Sequence, residues 1–168
     1  MSEEQKWFVI VTRPRAEKKV SEGLSKTGII HLLLMQKQLR QWKDRKKWVE
    51  MPLFNSYIFV LINPLHRNEV FDVPGVIKFV SIGGKPSTIS EVEIDRIKRV
   101  AAFEKEITIV RNVLNIGDRV EVIEGPLKGI KGKLVEKENN AYLNIIIENL
   151  GYTASFKIDR SIVRRIAN

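Results

Sequence analysis

Residues 116–135 read IGDRVEVIEGPLKGIKGKLV, and this stretch does most to decide the fold. Residues 119–123 alternate in character, with Val120 and Val122 on one face, which is the period of a half-buried strand. A Gly-Pro turn dipeptide follows at 125–126, and two further glycines precede a second extended run. The pattern predicts two strands joined by a Gly-Pro loop at the start of a small curved β-barrel.

This strand, loop and strand pattern resembles the KOW motif of ribosomal proteins and transcription elongation factors. We predict the remaining strands of the barrel near 142–148 and 152–158, because turn residues separate these β-favouring runs. The resemblance implies a protein that works on the gene-expression machinery and not on a small substrate.

Composition fits a binder of polyanions. The chain has 168 residues and a formal charge of +9, of which residues 1–105 carry +7 (19 Lys+Arg less 12 Asp+Glu) and residues 106–168 carry +2 (10 less 8). A basic excess attracts nucleic acid, although a merely soluble basic protein is the simpler alternative.

The chain lacks cysteine, which excludes disulfides and thiolate metal sites. It has no long apolar run, and its N-terminus is polar and acidic, so we expect no membrane contact and a cytoplasmic protein.

The N-terminal part alternates between strand and helix patterns. We predict the order β-α-β-hairpin-β-α-β-α, an α+β sandwich with helices packed on a sheet. A capping box at 90–93 opens the last of these helices. We expect domains at 1–105 and 113–168, joined by a linker at 106–112, although residues 107–110 are also compatible with a short strand.

Three segments of this part resemble the N-terminal domain of the NusG family of transcription elongation factors. They are WFVI at 7–10, PLFNSYIFV at 52–60 and VPGVIKFV at 73–80, and the KOW pattern follows in the family's order. The segments TRPRAEKKV at 12–20 and RQWKDRKK at 40–47 are most similar to the UpxY-type specialised paralogues, which are RfaH-like antiterminators of polysaccharide operons. One departure is Asn55, where these families usually have Pro.

The resemblance implies a transcription elongation and antitermination factor that suppresses pausing. It implies contacts with the β′ clamp helices and the β lobe of RNA polymerase, and with the displaced non-template DNA. The KOW domain would recruit a small-subunit ribosomal protein or Rho, with Leu150 at the matching apolar turn. The alternatives are a general NusG factor, and a ribosomal or other RNA-binding KOW protein. We expect a monomer.

Phe54, Tyr57 and Phe59 are the candidate clamp-helix contacts. Tyr57 and Phe59 lie on one face of a strand, and Ile58 lies on the other. If the aliphatic face packs under the helices, the aromatic face is exposed, and an exposed aromatic patch usually marks a partner surface. The alternative is that the rings belong to the core. The resemblance favours the partner surface. It also implies that His66 and Arg67 make a polar contact with the polymerase gate loop. The alternative for these two residues is a solvated helix start.

Two basic clusters are candidate nucleic-acid contacts. Cations near phosphates gain affinity by counterion release, and a tryptophan can stack on an unpaired base. The alternative for the hairpin cluster is a solvated, charged surface that prevents edge aggregation. The candidates are Arg40, Trp42, Lys43, Lys46 and Lys47 in the hairpin, and Arg13, Arg15 and Lys19 at the start of the first helix.

Catalysis has no support in the sequence. With two histidines and no cysteine, arrangements of nucleophile and base are scarce. His31 lies among aliphatic residues, where a hydrogen-bonded, half-buried histidine is the simplest interpretation. The Gly-Gly-Lys-Pro segment at 83–86 departs from a P-loop and predicts a turn. We expect no enzyme, no cofactor and no metal site.

Overall fold

A computed structural model describes residues 4–103, 107–111, 117–147 and 150–167. The chain divides into two compact units, residues 1–94 and residues 95–168. Both units are built mainly from antiparallel strands with few helices, in agreement with the predicted α+β class. The division lies inside the second helix, before the boundary predicted from the sequence.

The first unit contains one long helix, part of another and nine strands. Its elements in chain order are β1 (Lys6–Thr12), α1 (Glu17–Lys26), β2 (Ile30–Leu32), β3 (Met35–Gln41), β4 (Lys46–Pro52), β5 (Tyr57–Ile62), a 3₁₀ helix (Arg67–Asp72), β6 (Val76–Phe79), β7 (Ser81–Ile82), β8 (Lys85–Pro86), β9 (Thr88–Ile89) and the start of α2 (Glu91–Ala101). The central sheet has the order β2-β5-β1-β6, and β9 also pairs with β1. The pairs β3–β4 and β7–β8 form separate hairpins.

One face of the central sheet packs against α1 and the 3₁₀ helix. Phe8, Ile10, Ile58 and Val60 alternate along β1 and β5 and join the same core as Val20 and Leu24 of α1. These apolar residues recur at helical spacing in α1 and at strand spacing in β5, which is why the sequence folds in this way. Of the two arrangements that the sequence left open, Ile58 and Val60 therefore adopt the one in which they pack under the helices.

The second unit is a six-stranded antiparallel sheet. Its strands are β10 (Ile107–Arg111), β11 (Asp118–Val122), β12 (Lys131–Lys137), β13 (Asn140–Ile147), β14 (Tyr152–Lys157) and β15 (Val163–Arg165), with a 3₁₀ helix (Arg160–Ile162) before the last strand. The order in the sheet is β10-β14-β13-β12-β11-β15. Closure of this sheet into a KOW barrel stays a prediction.

Within the linker predicted at 106–112, residues 107–111 form a strand, which is the alternative that the sequence left open for 107–110. These residues form β10, which pairs along its length with β14. Ile107 is buried in the second unit and lies opposite Phe156, so apolar burial holds this segment in the sheet. Residues 106 and 112 lie outside the described residues.

The Gly-Pro loop of the second unit is fixed by an arginine of α2. The Arg99 guanidinium donates hydrogen bonds to the carbonyl oxygens of Pro126 and Lys128. Gly125 and Gly129 have positive φ angles, which a residue with a Cβ rarely adopts. The loop predicted between the two strands therefore has a defined conformation and an external anchor.

Candidate nucleic-acid and partner interfaces

The β3–β4 hairpin presents the predicted basic residues on its surface. Arg40 lies directly opposite Lys47 in the register, and both side chains are exposed. Like charges directly opposite one another are unfavourable in a sheet, and a bound anion would relieve the repulsion. The hairpin therefore carries closely spaced positive charges that are open to solvent.

Two tryptophans accompany these charges. Trp42 is 57% exposed at the turn, where its amide N–H donates to the Arg45 carbonyl at 2.7 Å. Trp48 is 66% exposed and lies opposite Leu39, which is also exposed. Exposed indole rings beside cations are the combination that stacks on unpaired bases. Sequence reasoning placed Trp42 among the candidates and left out the more exposed Trp48.

A cavity of about 530 Å³ lies between the start of α1, the hairpin and the turn before β5. It brings together Arg15 from the first basic cluster and Arg40 from the second, and Lys18 lines it beside them. Lys18 Nζ is 3.7 Å from a carboxylate oxygen of Glu50, so its charge is partly balanced. We call this cavity the basic cleft; its lining residues are Pro14, Arg15, Glu17, Lys18, Arg40, Glu50, Met51, Pro52, Asn55 and Ser56.

The lining of the basic cleft differs from the basic cluster that the sequence predicted at the start of the first helix. Arg15 lines the cleft, whereas Arg13 and Lys19 are exposed and outside its lining. Lys18 lines the cleft and the neighbouring Lys19 does not, because adjacent helical residues point in different directions. The sequence pattern carries no signal that decides between them, since the answer depends on where the hairpin lies beside α1.

Two residues that line the basic cleft have left-handed backbone conformations. Arg15 has a φ angle of 63° and Ser56 one of 64°. Such left-handed conformations are costly for residues with a Cβ, and they persist where surrounding contacts enforce them. At Ser56 the enforcing contacts are visible: its N–H donates to Glu17 Oε1 at 2.7 Å, and its carbonyl accepts from the Thr12 N–H at 2.8 Å.

The aromatic residues of the central sheet are less exposed than expected. Phe54 is 3% and Phe59 is 1% exposed, and their rings meet edge to face with centroids 5.9 Å apart. The expectation of an exposed patch is wrong for these two rings, while Tyr57 is half-buried. The reason is that the second face of the sheet is also covered: Trp7 on this face is buried, and its Nε1–H donates to Glu91 at the start of α2.

His66 and Arg67 both make local contacts. His66 Nδ1 is 3.1 Å from Glu69 Oε1, and the Arg67 guanidinium donates to the Pro64 carbonyl at 2.7 Å. His66 is exposed and Arg67 is half-buried at the start of the 3₁₀ helix. These contacts stabilise the turn that begins the helix, and they leave part of the imidazole surface open to solvent.

Leu150 lies half-buried immediately before β14, and Gly151 after it has a φ angle of 65°. Asn149, the other residue of the predicted apolar turn, lies outside the described residues. Leu150 therefore offers part of its side chain to the surface of the second unit, beside a tight turn that favours glycine.

Within the described residues, the histidine and the glycine-rich segment that could suggest catalysis have structural roles. His31 is hydrogen-bonded through both ring nitrogens, Nε2 to Ser21 Oγ at 2.7 Å and Nδ1 to the Ile29 carbonyl at 2.9 Å. The predicted turn at 83–84 joins β7 and β8. Within the described ranges, no group of three or more metal-binding side chains comes together, and no helix is long and apolar enough to cross a membrane.

Comparison with known proteins assigns this two-unit chain to the transcription machinery. The family described as "Transcription termination factor nusG" matches residues 5–98. The chain belongs to the NusG family, whose members are transcription factors of the elongation and antitermination class.

Individual relatives match this chain over most of their length. The chain is 23% identical to a transcription termination/antitermination protein NusG of Rickettsia felis, with 96% of this chain and 90% of the relative covered. It is 26% identical to the protein of that name from Lactococcus lactis, with 95% and 92% covered. A solved structure of Thermotoga maritima NusG, described as showing domain interaction, matches with a TM-score of 0.56 and 26% identity over 97% of this chain and 98% of that chain.

Proposed function

We propose that this protein binds transcribing RNA polymerase and suppresses pausing or termination, with the basic cleft and the hairpin beside it contacting the displaced non-template DNA. Membership of the NusG family supports the polymerase, because factors of this family interact with it. The observation that carries the DNA contact is the meeting of Arg15, Lys18 and Arg40 in one cleft beside an exposed tryptophan-bearing hairpin.

The polymerase contact is assigned to the surface around Tyr57. Phe54 and Phe59 support that surface from within the core, and Tyr57 is the ring of the three with solvent access. A half-buried tyrosine on a rigid strand suits a clamp-helix contact, because a rigid aromatic contributes large area at little entropic cost. His66 and Arg67, at the nearby helix start, are proposed contacts with the β subunit.

The proposed class of target is a specialised operon, of the kind that encodes polysaccharide synthesis. This rests on the resemblance of 12–20 and 40–47 to the UpxY-type antiterminators. The general NusG role is the alternative, and both assign residues 1–105 to polymerase binding and 113–168 to recruitment of a ribosomal protein or Rho. The protein is proposed to act in the cytoplasm as a monomer, without catalysis.

Pause escape in a purified transcription reaction tests the function. The full-length protein should shorten pauses by RNA polymerase on a template that carries a strong pause site. A variant with Arg15→Gln and Arg40→Gln should lose much of this effect and still co-purify with polymerase, because polymerase contact is assigned elsewhere. Co-purification with ribosomal subunits alone would favour the RNA-binding KOW alternative and refute the proposal.

A control variant separates an effect of the basic cleft from an effect of the overall charge. The matched control replaces Lys26 and Lys85, two exposed lysines outside the cleft lining, by Gln. It removes the same charge from the first unit. If the control slows pause escape as much as the cleft variant does, the effect is one of overall charge and the basic cleft is not the DNA site.

A further inference from the structure

A second cationic cleft lies on the sheet of the second unit, and we call it the sheet cleft. Its volume is about 240 Å³. This is below the range of about 300–1,000 Å³ that is usual for drug-sized ligands, so a small ligand suits it. The proposed function assigns its lining no role. The polar side chains of the lining are Arg96, Arg119, Lys131, Lys133 and Asn144.

The strand register brings these side chains together. Arg119 lies opposite Lys133, and Lys133 lies opposite Asn144, so the three form one row across β11, β12 and β13. Directly opposite residues share a face of the sheet, and Lys131 shares it too because it is two residues from Lys133. Paired strands therefore hold three cations and an amide at neighbouring positions of one face.

Asn144 is a buried polar residue on the face of the sheet cleft. Its strand neighbours Leu143 and Ile145 point to the opposite face and are buried, as core residues are. Asn144 is only 6% exposed, and its Oδ1 atom is buried without a hydrogen bond to any described residue. Because an unpaired buried acceptor costs free energy, such an atom needs an explanation, and a ligand that donates a hydrogen bond supplies one.

The positive charge beside Asn144 is available to a ligand. Arg119 and Lys131 are exposed, and neither forms an ion pair with a carboxylate among the residues that the structure describes. Glu121, the acidic residue opposite Lys131, pairs instead with Arg164 at 2.8 Å. The sheet cleft thus combines accessible cations with one buried hydrogen-bond acceptor.

These two features together restrict the chemistry of the ligand. A metal ion would suit Asn144 Oδ1, but the cations would repel it. A carboxylate, a sulfate or a phosphodiester would suit the cations, but each carries no hydrogen at neutral pH and would place an acceptor oxygen against Oδ1. Inorganic phosphate meets both demands, because its ionised oxygens accept hydrogen bonds from the cations and its remaining P–OH group donates one.

We propose that the sheet cleft binds inorganic phosphate or diphosphate, with Arg119 and Lys131 on the ionised oxygens and Asn144 Oδ1 accepting a hydrogen bond from the P–OH group. Both anions keep such a hydrogen at neutral pH. Sulfate has the shape and charge of monohydrogen phosphate but lacks the hydrogen, so the acceptor makes the site selective between them. The inference is independent of the proposed polymerase and DNA contacts.

Titration of the full-length protein with phosphate and with sulfate, followed through the backbone amide signals in nuclear magnetic resonance spectra, tests the proposal. Each amide signal reports its own position, so binding in the sheet cleft is separated from binding in the basic cleft of the first unit. Chloride holds the ionic strength constant. Phosphate should bind about tenfold more tightly than sulfate, because sulfate leaves the buried acceptor unpaired. A titration with diphosphate identifies which of the two proposed anions the site prefers.

Two variants separate the cations from the acceptor. Arg119→Gln with Lys131→Gln should weaken binding of both anions by about tenfold or more, because two charge-assisted contacts are lost. Asn144→Leu removes the acceptor at similar volume, so it should abolish the preference for phosphate and leave sulfate binding in place. The matched control, Lys137→Gln with Lys157→Gln, removes the same charge from exposed positions outside the cleft lining and should bind as the unaltered protein does.

Equal affinity of the unaltered protein for phosphate and sulfate would overturn the proposal, because Asn144 Oδ1 would then meet no hydrogen of the ligand. Equal losses in the double cation variant and its control would overturn it as well. So would a preference for phosphate that survives in a folded Asn144→Leu protein. If that variant does not fold, the comparison of the two anions in the unaltered protein still decides.

Discussion

The Ser56 amide donates a hydrogen bond to Glu17 Oε1 at 2.7 Å, which joins the first turn of α1 to the turn before β5. Glu17 is buried although it is charged, and Ser56 has a left-handed backbone conformation. The turn that lacks the usual proline at Asn55 is thus held by a side chain from elsewhere in the fold. Because both residues line the basic cleft, the same contact also sets the shape of its wall.

Glu17→Ala should lower the free energy of unfolding by about 1–3 kcal/mol, because it leaves the Ser56 amide without its acceptor. Urea unfolding measures the loss. Glu17→Gln keeps an oxygen acceptor and should cost less. The control is Glu22→Ala on the exposed side of the same helix; an equal loss there would mean that the Ser56 contact contributes nothing.

Phe59→Ala and Tyr57→Ala should separate folding from binding. Phe59 is fully buried, so truncation should cost about 3–5 kcal/mol of stability and lower the melting temperature strongly. Tyr57 is half-buried, and its loss should weaken polymerase binding by about 1–3 kcal/mol with a smaller effect on melting. Unchanged polymerase affinity in a folded Tyr57→Ala protein would refute the clamp-helix assignment.

Replacing Arg40, Lys43, Lys46 and Lys47 by Gln should weaken binding of single-stranded or bubble DNA and flatten its salt dependence. With about 0.7 lost from the slope for each phosphate contact, the change should be at most about 2.8. Titrations of a labelled bubble at several salt concentrations measure it. The same number of substitutions at Lys6, Lys26, Lys78 and Lys85, which are exposed elsewhere in the first unit, is the control. Equal slopes in the two variants would make the hairpin an ordinary solvated surface.

The periodicity of the chain was sufficient to predict most elements of the fold. In the predicted order of elements, the first strand is β1, the first helix is α1, and the hairpin appears as β3 and β4. The serine cap of the predicted capping box is also observed, with the Glu93 N–H donating to Ser90 Oγ at 3.2 Å. These features are local, because alternation, helical spacing and capping depend on residues close in sequence.

The errors concern properties that only tertiary packing decides. Alternation placed Phe59 on the face opposite Ile58, but it carried no information on whether something covers that face. Which of Lys18 and Lys19 lines the basic cleft depends on the hairpin, distant in sequence, which defines the cleft wall; nucleic-acid contact by Lys19 stays a prediction. The sequence left residues 107–110 open between a linker and a short strand, and pairing with β14, which is distant in sequence, decides for the strand.

Leu150→Asp should disrupt recruitment by the second unit and leave anti-pausing activity intact. A charge at the half-buried apolar turn would oppose packing against a ribosomal protein or Rho. Binding to each purified partner measures the first effect and pause escape measures the second. Leu150→Met, which conserves volume and polarity, is the control. Loss of anti-pausing activity in the aspartate variant alone would contradict the assignment of that activity to residues 1–105.

A fragment of residues 107–168 should be clearly more stable than one of residues 113–168. The shorter fragment lacks β10, which pairs with β14 from Ile107 to Arg111. Its loss removes the strand hydrogen bonds, exposes the edge of β14, and forfeits burial of Ile107, a side chain worth about 1.5–3 kcal/mol. Thermal melting of the two fragments compares them directly.

The fragment 107–168 with Ile107→Ala separates the contribution of the side chain from that of the backbone. Its melting temperature should lie between those of the fragments 107–168 and 113–168, since it keeps the strand hydrogen bonds and loses most of the apolar burial. If the fragments 107–168 and 113–168 melt at the same temperature, β10 does not stabilise the second unit and the linker interpretation of 106–112 is restored. If the alanine variant matches the shorter fragment, burial of Ile107 accounts for the whole contribution of β10, and the strand pairing adds nothing measurable.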